Sequence, residues 1–293
     1  MDTIVADLRE AYGAAKACTS HDCKSDDTSR SLLRLVKQSL DFLLTRCDRD
    51  PLVSRVADKQ YFAFARKENP AVLSRPANAA LFELDLPSLE RRWNQWASGD
   101  ETTAGLETLS YTMALAPCLA MEVFDRNNKK GPATYFECFI GHLFAKVLET
   151  NPRKQASFRV EGKTMRMTMD FIFDLEAGGG VRVHLPVKMS TRERVVQAWA
   201  HQRMLDAAYG VGEYKGIMVL FSETKLDLRN REVIEICVPD QWLAYQVLLS
   251  HMTRIYYFDM PQRYQDLTDA HPDAIQIRQF GEFFNEKDSI LFE

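Results

Sequence analysis

The sequence predicts an α/β fold: a mixed central sheet flanked by helices, with a helical region in front of it. Three observations carry this. Residues 216–222 are apolar on both faces, as a central strand is. Residues 169–175 and 181–188 alternate apolar with polar around a glycine-rich break, the pattern of a hairpin. Apolar residues recur at helical spacing through most of the first 123 positions.

Residues 2–17 read as a helix with Ile4, Leu8 and Tyr12 on one stripe. The polar stretch 18–30 reads as a loop. Its Cys18, His21 and Cys23 lack a downstream pair at zinc-site spacing, so the loop reading takes precedence over a metal knuckle. From Ser31 a second helix runs through Leu32, Leu35, Val36 and Leu40. Tyr61, Phe62 and Phe64 read as core, and Pro70 and Pro76 interrupt the middle. Leu86-Pro87 opens a helix through Trp93 and Trp96, with proline in the first turn. Arg91 and Arg92 beside those tryptophans fit a solvated basic helix edge better than a nucleic-acid clamp. An apolar helix over 106–123 closes the first region, residues 1–123, which holds few strands.

Residues 124–293 form the second region. A turn at 127–132 leads to a helix over 133–149 with a broad apolar face. Strands follow over 157–160, 164–175 and 181–188, then a helix over 191–209 that buries Val195, Trp199 and Met204. Residues 232–238 and 254–258 add strands to that at 216–222, and Pro239 opens a helix to about 252.

The 293 residues suffice for a sizeable core, in one large domain or two small ones. At 46% hydrophobic and 27% charged the composition is that of an ordinary globular protein, and no apolar run suits a bilayer. The N-terminus has acids and no basic segment, so a signal peptide is not expected. Six scattered cysteines without framework spacing fit free thiols in a cytoplasmic setting. A net charge of −4 argues against a sequence-blind nucleic-acid binder, which is expected to be basic.

The hairpin carries the chemistry. If its loop is Ala177-Gly178-Gly179, Asp174 falls opposite Arg182 and Asp170 opposite Pro186. Lys188 then sits diagonally across from Asp170 on the same face. An aspartate and a lysine facing one pocket from adjacent strands can hold a divalent metal and activate a water. His184 and His201 read as surface or satisfied core residues rather than general bases. Glu149, Glu161, Asp174 and Glu176 read as solvated turn charges.

Asp170 on one strand and Lys188 ending the next resemble the PD-(D/E)xK nuclease core, over roughly residues 131–203. Four residues past the lysine begins Arg192-Glu193-Arg194. It resembles the R-(D/E)-R element of type II restriction endonucleases whose targets share a CCGG or CCNGG core. Three positions depart from that pattern. Met169 stands where a proline precedes the aspartate, and Pro186 where Ser or Thr precedes the lysine by two. His201 stands near the place of a carboxylate about thirteen residues on.

The resemblance implies a restriction-endonuclease-like core over residues 124–293, with residues 1–123 serving dimerisation or DNA contacts. It implies Mg²⁺ as cofactor, held by Asp170 and by Glu137 on the preceding helix, with Lys188 completing the catalytic set. Double-stranded DNA would be the substrate, read by Arg192, Glu193 and Arg194. It implies a homodimer or higher assembly, no membrane, and a cognate methyltransferase protecting host DNA. Ser190-Thr191-Arg192-Glu193 is also a capping box, which by itself explains Glu193. That leaves two arginines at a helix start, where the macrodipole disfavours cations. Guanine O6/N7 and cytosine N4 would reward those side chains. A repair or recombination nuclease of the same fold, an inactive DNA-binding module and an α/β interaction protein are the alternatives.

Overall fold

The computed structural model describes residues 3–125, 127–175, 181–190 and 195–292. The chain forms two compact units, Met1–His142 with Thr224–Ile236, and Leu143–Glu223 with Cys237–Glu293. Among the described residues, no helix is long and apolar enough to cross a membrane.

The first unit begins with helices α1 (Thr3–His21) and α2 (Asp26–Arg46). Most of the expected loop at 18–30 is therefore helical. Its polar residues are capping chemistry: the Ser25 side chain accepts from the Thr28 N–H, and Asp26 and Asp27 occupy the first turn of α2. Four strands follow, β1 (Cys47–Ser54), β2 (Tyr61–Arg66), β3 (Asn69–Leu73) and β4 (Ala77–Asn78). Helix α3 (Leu86–Ser98) is capped by Asp85 and ends at Gly99, whose φ of 81° suits a residue without Cβ. Helix α4 (Thr103–Phe124) is buried nearly all round, so its apolar positions form no single stripe. Helix α5 (Gly131–Val147) carries the chain onward into the second unit.

The strands of the first unit form a sheet with β10 (Thr224–Asp227) and β11 (Glu232–Glu235), in the order β10-β11-β1-β2-β3 with β4 beside β2. The expected strand at 232–238 thus exists as β11, but it pairs parallel with β1 rather than joining the sheet that holds the hairpin. The few-strand reading of residues 1–123 missed most of this sheet. The reason is visible in β1, where the polar stretch Asp48, Arg49 and Asp50 is held by pairing with β2, and β11 joins only at Val53 and Ser54.

The second unit is built on β5 (Arg153–Val160), β6 (Lys163–Asp174), β7 (Arg182–Leu185), β8 (Val187–Lys188), β9 (Tyr214–Ser222), β12 (Arg254–Asp259) and β13 (Ile277–Gln279). The order is β13-β12-β9-β7-β6-β5, with β8 also paired to β9. Strands β13, β12, β9 and β7 run parallel, and β7, β6 and β5 antiparallel, so the sheet is mixed as expected. Glu161 and Gly162 both adopt left-handed φ, 49° and 78°, which makes the tight turn between β5 and β6. Central β9 is buried along nearly all its length. One of its faces is covered by α6 (Val196–Tyr209), α7 (Pro239–Leu248) and α8 (Gln262–Ala270) through Trp199, Trp242 and Tyr264. Trp242 stacks on Tyr264 at 4.5 Å between ring centroids. Met204, expected in the core, is 39% exposed on α6 and is corrected to a surface residue. Helices α8 and α9 (Phe283–Phe292) and strand β13 were not foreseen.

Candidate active site

The hairpin register follows the expectation. Asp174 pairs with Arg182, Ile172 with His184 and Phe171 with Leu185. Strands β7 and β8 keep one register against β9, with His184 beside Gly216 and Lys188 beside Leu220. They are one strand interrupted at Pro186. The Pro186 carbonyl accepts from Val219 N–H at 2.9 Å, but a proline has no N–H to give to the ladder. The ladder between β6 and β7 stops at Leu185, and the Val187 N–H instead donates to Asp170 Oδ2 at 2.9 Å. The departure from the nuclease pattern at position 186 thus falls where the two strands part.

Lys188 Nζ lies 2.6 Å from the same Asp170 oxygen, and each side chain keeps 22% of its surface exposed. A charge-assisted bond of this length holds the ammonium and carboxylate together at a solvent-reachable point. Asp174 stands at the other end of β6, between Arg153 at 2.6 Å and Arg182 at 3.7 Å. It is a half-exposed ion-paired residue at a strand end, and Glu149 and Glu161 sit at turns with φ of 50° and 49°.

The histidines divide. His201, on α6, is half-buried, and burial lowers its pKa, with the Asp170 carboxylate opposing and the Lys188 ammonium reinforcing that shift. His184 is fully buried, and burial pushes its pKa down to about 4, against the hydrogen bond it makes to Gln202, which raises it. His201, Asp170 and Lys188 act on it at longer range. The two rings are 6.3 Å apart. His184 is therefore not a surface residue, and it is only half satisfied: Nδ1 meets Gln202 Oε1 at 3.0 Å, while buried Nε2 has no hydrogen-bond partner among the described residues. No periodicity argument could have found Gln202, because the contact joins a strand to a helix eighteen residues on.

A stability prediction follows from His184. The unfolded chain protonates this ring near 6.5 and the folded protein near 4, so between these values the unfolded state binds the extra proton. Its contribution is fully present above pH 6.5 and is lost as pH falls toward 4, a change of about 3 kcal/mol. Denaturant unfolding at several pH values should show a shallower acid dependence in His184→Gln than in wild type. Parallel curves for the two proteins would remove this assignment.

Glu137 lies in the first unit, on α5, half-buried and within electrostatic reach of Tyr12. Arg192, Glu193 and Arg194, and also Glu176, lie outside the described residues. The structure thus brings together Asp170, Lys188, His184 and His201 within the second unit. Among the described residues, no group of three His, Cys, Asp or Glu side chains is arranged to hold a metal.

The mixed sheet and its helical layer have the fold of a restriction endonuclease. The chain superposes on the crystal structure of the type IIP restriction endonuclease Kpn2I with a TM-score of 0.79 and 23% identity, covering 97% of each chain. A second solved structure, the restriction endonuclease PspGI bound to substrate DNA, superposes loosely: TM-score 0.42, 14% identity, 70% of this chain and 92% of that one. No family model matches the chain, and no curated protein matches it in sequence.

Proposed function

We propose that this protein is a type II restriction endonuclease, making Mg²⁺-dependent double-strand cuts in palindromic DNA with a CC/GG core of the CCGG or CCNGG type. The observation that carries the reading is the 2.6 Å Lys188–Asp170 pair, set at a strand opening in this fold. The acidic net charge of −4 is compatible with it if cations cluster where phosphates lie.

The donor set fits a hard divalent ion in an open site. Both bonds to Asp170 land on Oδ2, which leaves Oδ1 for a cation. Mg²⁺ keeps several waters and needs only one or two carboxylates beside substrate phosphates. Asp170 would hold it, with Glu137 helping through water. When bound, the ion supplies a more acidic water and charge stabilisation for the phosphoryl group. Asp170 fixes the ammonium of Lys188, and Lys188 would orient or deprotonate the attacking water. The Val187 N–H holds Asp170 in place from the strand below.

Arg192, Glu193 and Arg194 would read G·C pairs from the major groove. Each is expected to contribute ~1–3 kcal/mol of discrimination. Arg192→Ala should weaken binding to a CC/GG duplex in a filter or anisotropy assay while sparing random duplex at low salt. Equal loss on both would mean phosphate contact alone. A palindrome offers two identical half-sites, which a symmetric dimer meets with one surface used twice. Sedimentation at micromolar concentration should give a dimer on DNA, and a monomer there would refute that assembly. Such an enzyme requires a cognate methyltransferase to protect its host.

Plasmid DNA with Mg²⁺ is the deciding experiment. Discrete fragments support the restriction reading, and a smear supports a repair or recombination nuclease of this fold. An intact plasmid supports an inactive DNA-binding module, the reading favoured by Pro186 and by His201 in place of a carboxylate.

A further inference from the structure

The two nitrogens of buried His184 can be told apart by following the hydrogen bonds outward. Gln202 Nε2 donates to the Tyr214 carbonyl at 2.8 Å and to Asp206 Oδ1 at 3.0 Å. The Asp206 carboxylate also accepts from Ser250 Oγ. A carbonyl only accepts, so turning the Gln202 amide round would set oxygen against oxygen. Gln202 Oε1 is therefore the atom that faces His184 Nδ1 at 3.0 Å, and an amide oxygen accepts only. The proton sits on Nδ1. A neutral imidazole has one such proton, so Nε2 presents a bare lone pair, buried and hydrogen-bonded to nothing in the described chain.

A buried acceptor left unmet is costly, and native interiors meet nearly all of theirs with protein or ordered water. Among the described residues no side chain or backbone group supplies that donor, and a bound water can. His184 precedes Lys188 by four positions along β7 and β8, which share one register on β9, so alternation gives both the same face. His184 pairs with Ile172, two residues from Asp170 on the neighbouring strand. Lys188 uses one of its three N–H groups on Asp170 Oδ2.

We propose that His184 Nε2 accepts a hydrogen bond from a resident water that also contacts the Asp170–Lys188 pair, making His184 a positioning residue for that pair. A buried water makes about three hydrogen bonds. Here it donates to Nε2 and to one lone pair of Asp170 Oδ1, leaving the other for a cation, and accepts from Lys188 Nζ, which matches donor to acceptor at every contact. The Tyr214 carbonyl, Gln202, His184 and the water then form one chain from the core of the sheet to the ammonium. The bearing of this chain on catalysis rests on the nuclease reading, whereas its hydrogen-bond chemistry does not.

The test is ¹⁵N nuclear magnetic resonance of the full-length protein labelled at histidine, with His184→Gln used to assign the signals. The expected spectrum has His184 protonated at Nδ1 and bare at Nε2. Its Nε2 resonance should be displaced as a hydrogen-bond acceptor, and should move in both Lys188→Met and Asp170→Asn. A protonated Nε2, or a resonance indifferent to both substitutions, overturns the proposal. These spectra need no DNA, so a wild type that leaves plasmid intact counts against the nuclease reading and not against this one.

In an active enzyme a second arm applies. His184→Asn keeps an N–H near the position of Nδ1 for Gln202 and deletes the acceptor, whereas His184→Gln places an amide oxygen near that of Nε2. The Asn variant should lose about 10–100-fold in single-turnover cleavage with DNA binding in Ca²⁺ unchanged. The Gln variant should recover much of that loss. Cleavage by the Asn variant at the wild-type rate overturns the positioning role.

Discussion

Lys188→Ala is expected to abolish DNA cleavage, by at least about 10²–10³-fold in single-turnover rate, and to leave specific binding measurable in Ca²⁺. Its ammonium is the cation paired with Asp170, at 2.6 Å, and in the proposed mechanism it is the group that orients a water against a phosphate. Removing it takes away positive charge that matters most when charge develops on the phosphoryl oxygens. Both partners are only 22% exposed, so losing the ammonium should also lower stability by about 1–3 kcal/mol, read separately as the melting temperature. Lys188→Arg should fail to restore the rate, since a planar guanidinium presents its donors in a fixed fork rather than at a point. Near-normal cutting by the alanine variant would remove the proposed centre.

The register of this pair was legible from alternation and a glycine break alone. The break set Asp174 against Arg182, and that register in turn placed Lys188 diagonally across from Asp170; the pairing and the contact both hold. What alternation could not show is why the strands part there. Pro186 marks the position as a departure in sequence, but its effect depends on the Val187 N–H finding a carboxylate when β6 leaves the ladder. The first unit was harder for a related reason. Strand β1 is polar for half its length, and its partners in β11 lie 179 residues away, so its pairing is settled by long-range partners rather than by local preference. The unmet Nε2 of His184 also lies beyond pattern reading, because satisfaction of a buried ring depends on the particular groups packed round it. Arg192–Arg194 rests on motif and spacing alone.

The last expectation concerns carboxylates. Phosphodiester hydrolysis with a hard cation needs negative oxygen ligands, and Mg²⁺ prefers octahedral oxygen coordination. Near the lysine the second unit offers Asp170, and His201 stands where the resembled nucleases carry a further carboxylate. Burial lowers the pKa of His201, so its ring is neutral near pH 7, and neutral imidazole suits Mn²⁺ or Zn²⁺ better than Mg²⁺. Pro186 and Gln202 carry no charge to replace what is missing, and Gln202 is committed to His184, Asp206 and Tyr214. The load then falls on Asp170 and on Glu137, whose separation along the chain resembles that of the family. Asp170→Ala should be inactive. Glu137→Ala should be reduced nearly as severely, with partial recovery in Mn²⁺, and His201→Ala should be tolerated. Single-turnover cleavage of one target duplex by each variant, in Mg²⁺ and then in Mn²⁺, decides the matter. If Glu137→Ala cuts at the wild-type rate, another carboxylate must complete the site. Asp174 is poorly placed for that, because it is held between Arg153 and Arg182, which makes Glu176 the next residue to change.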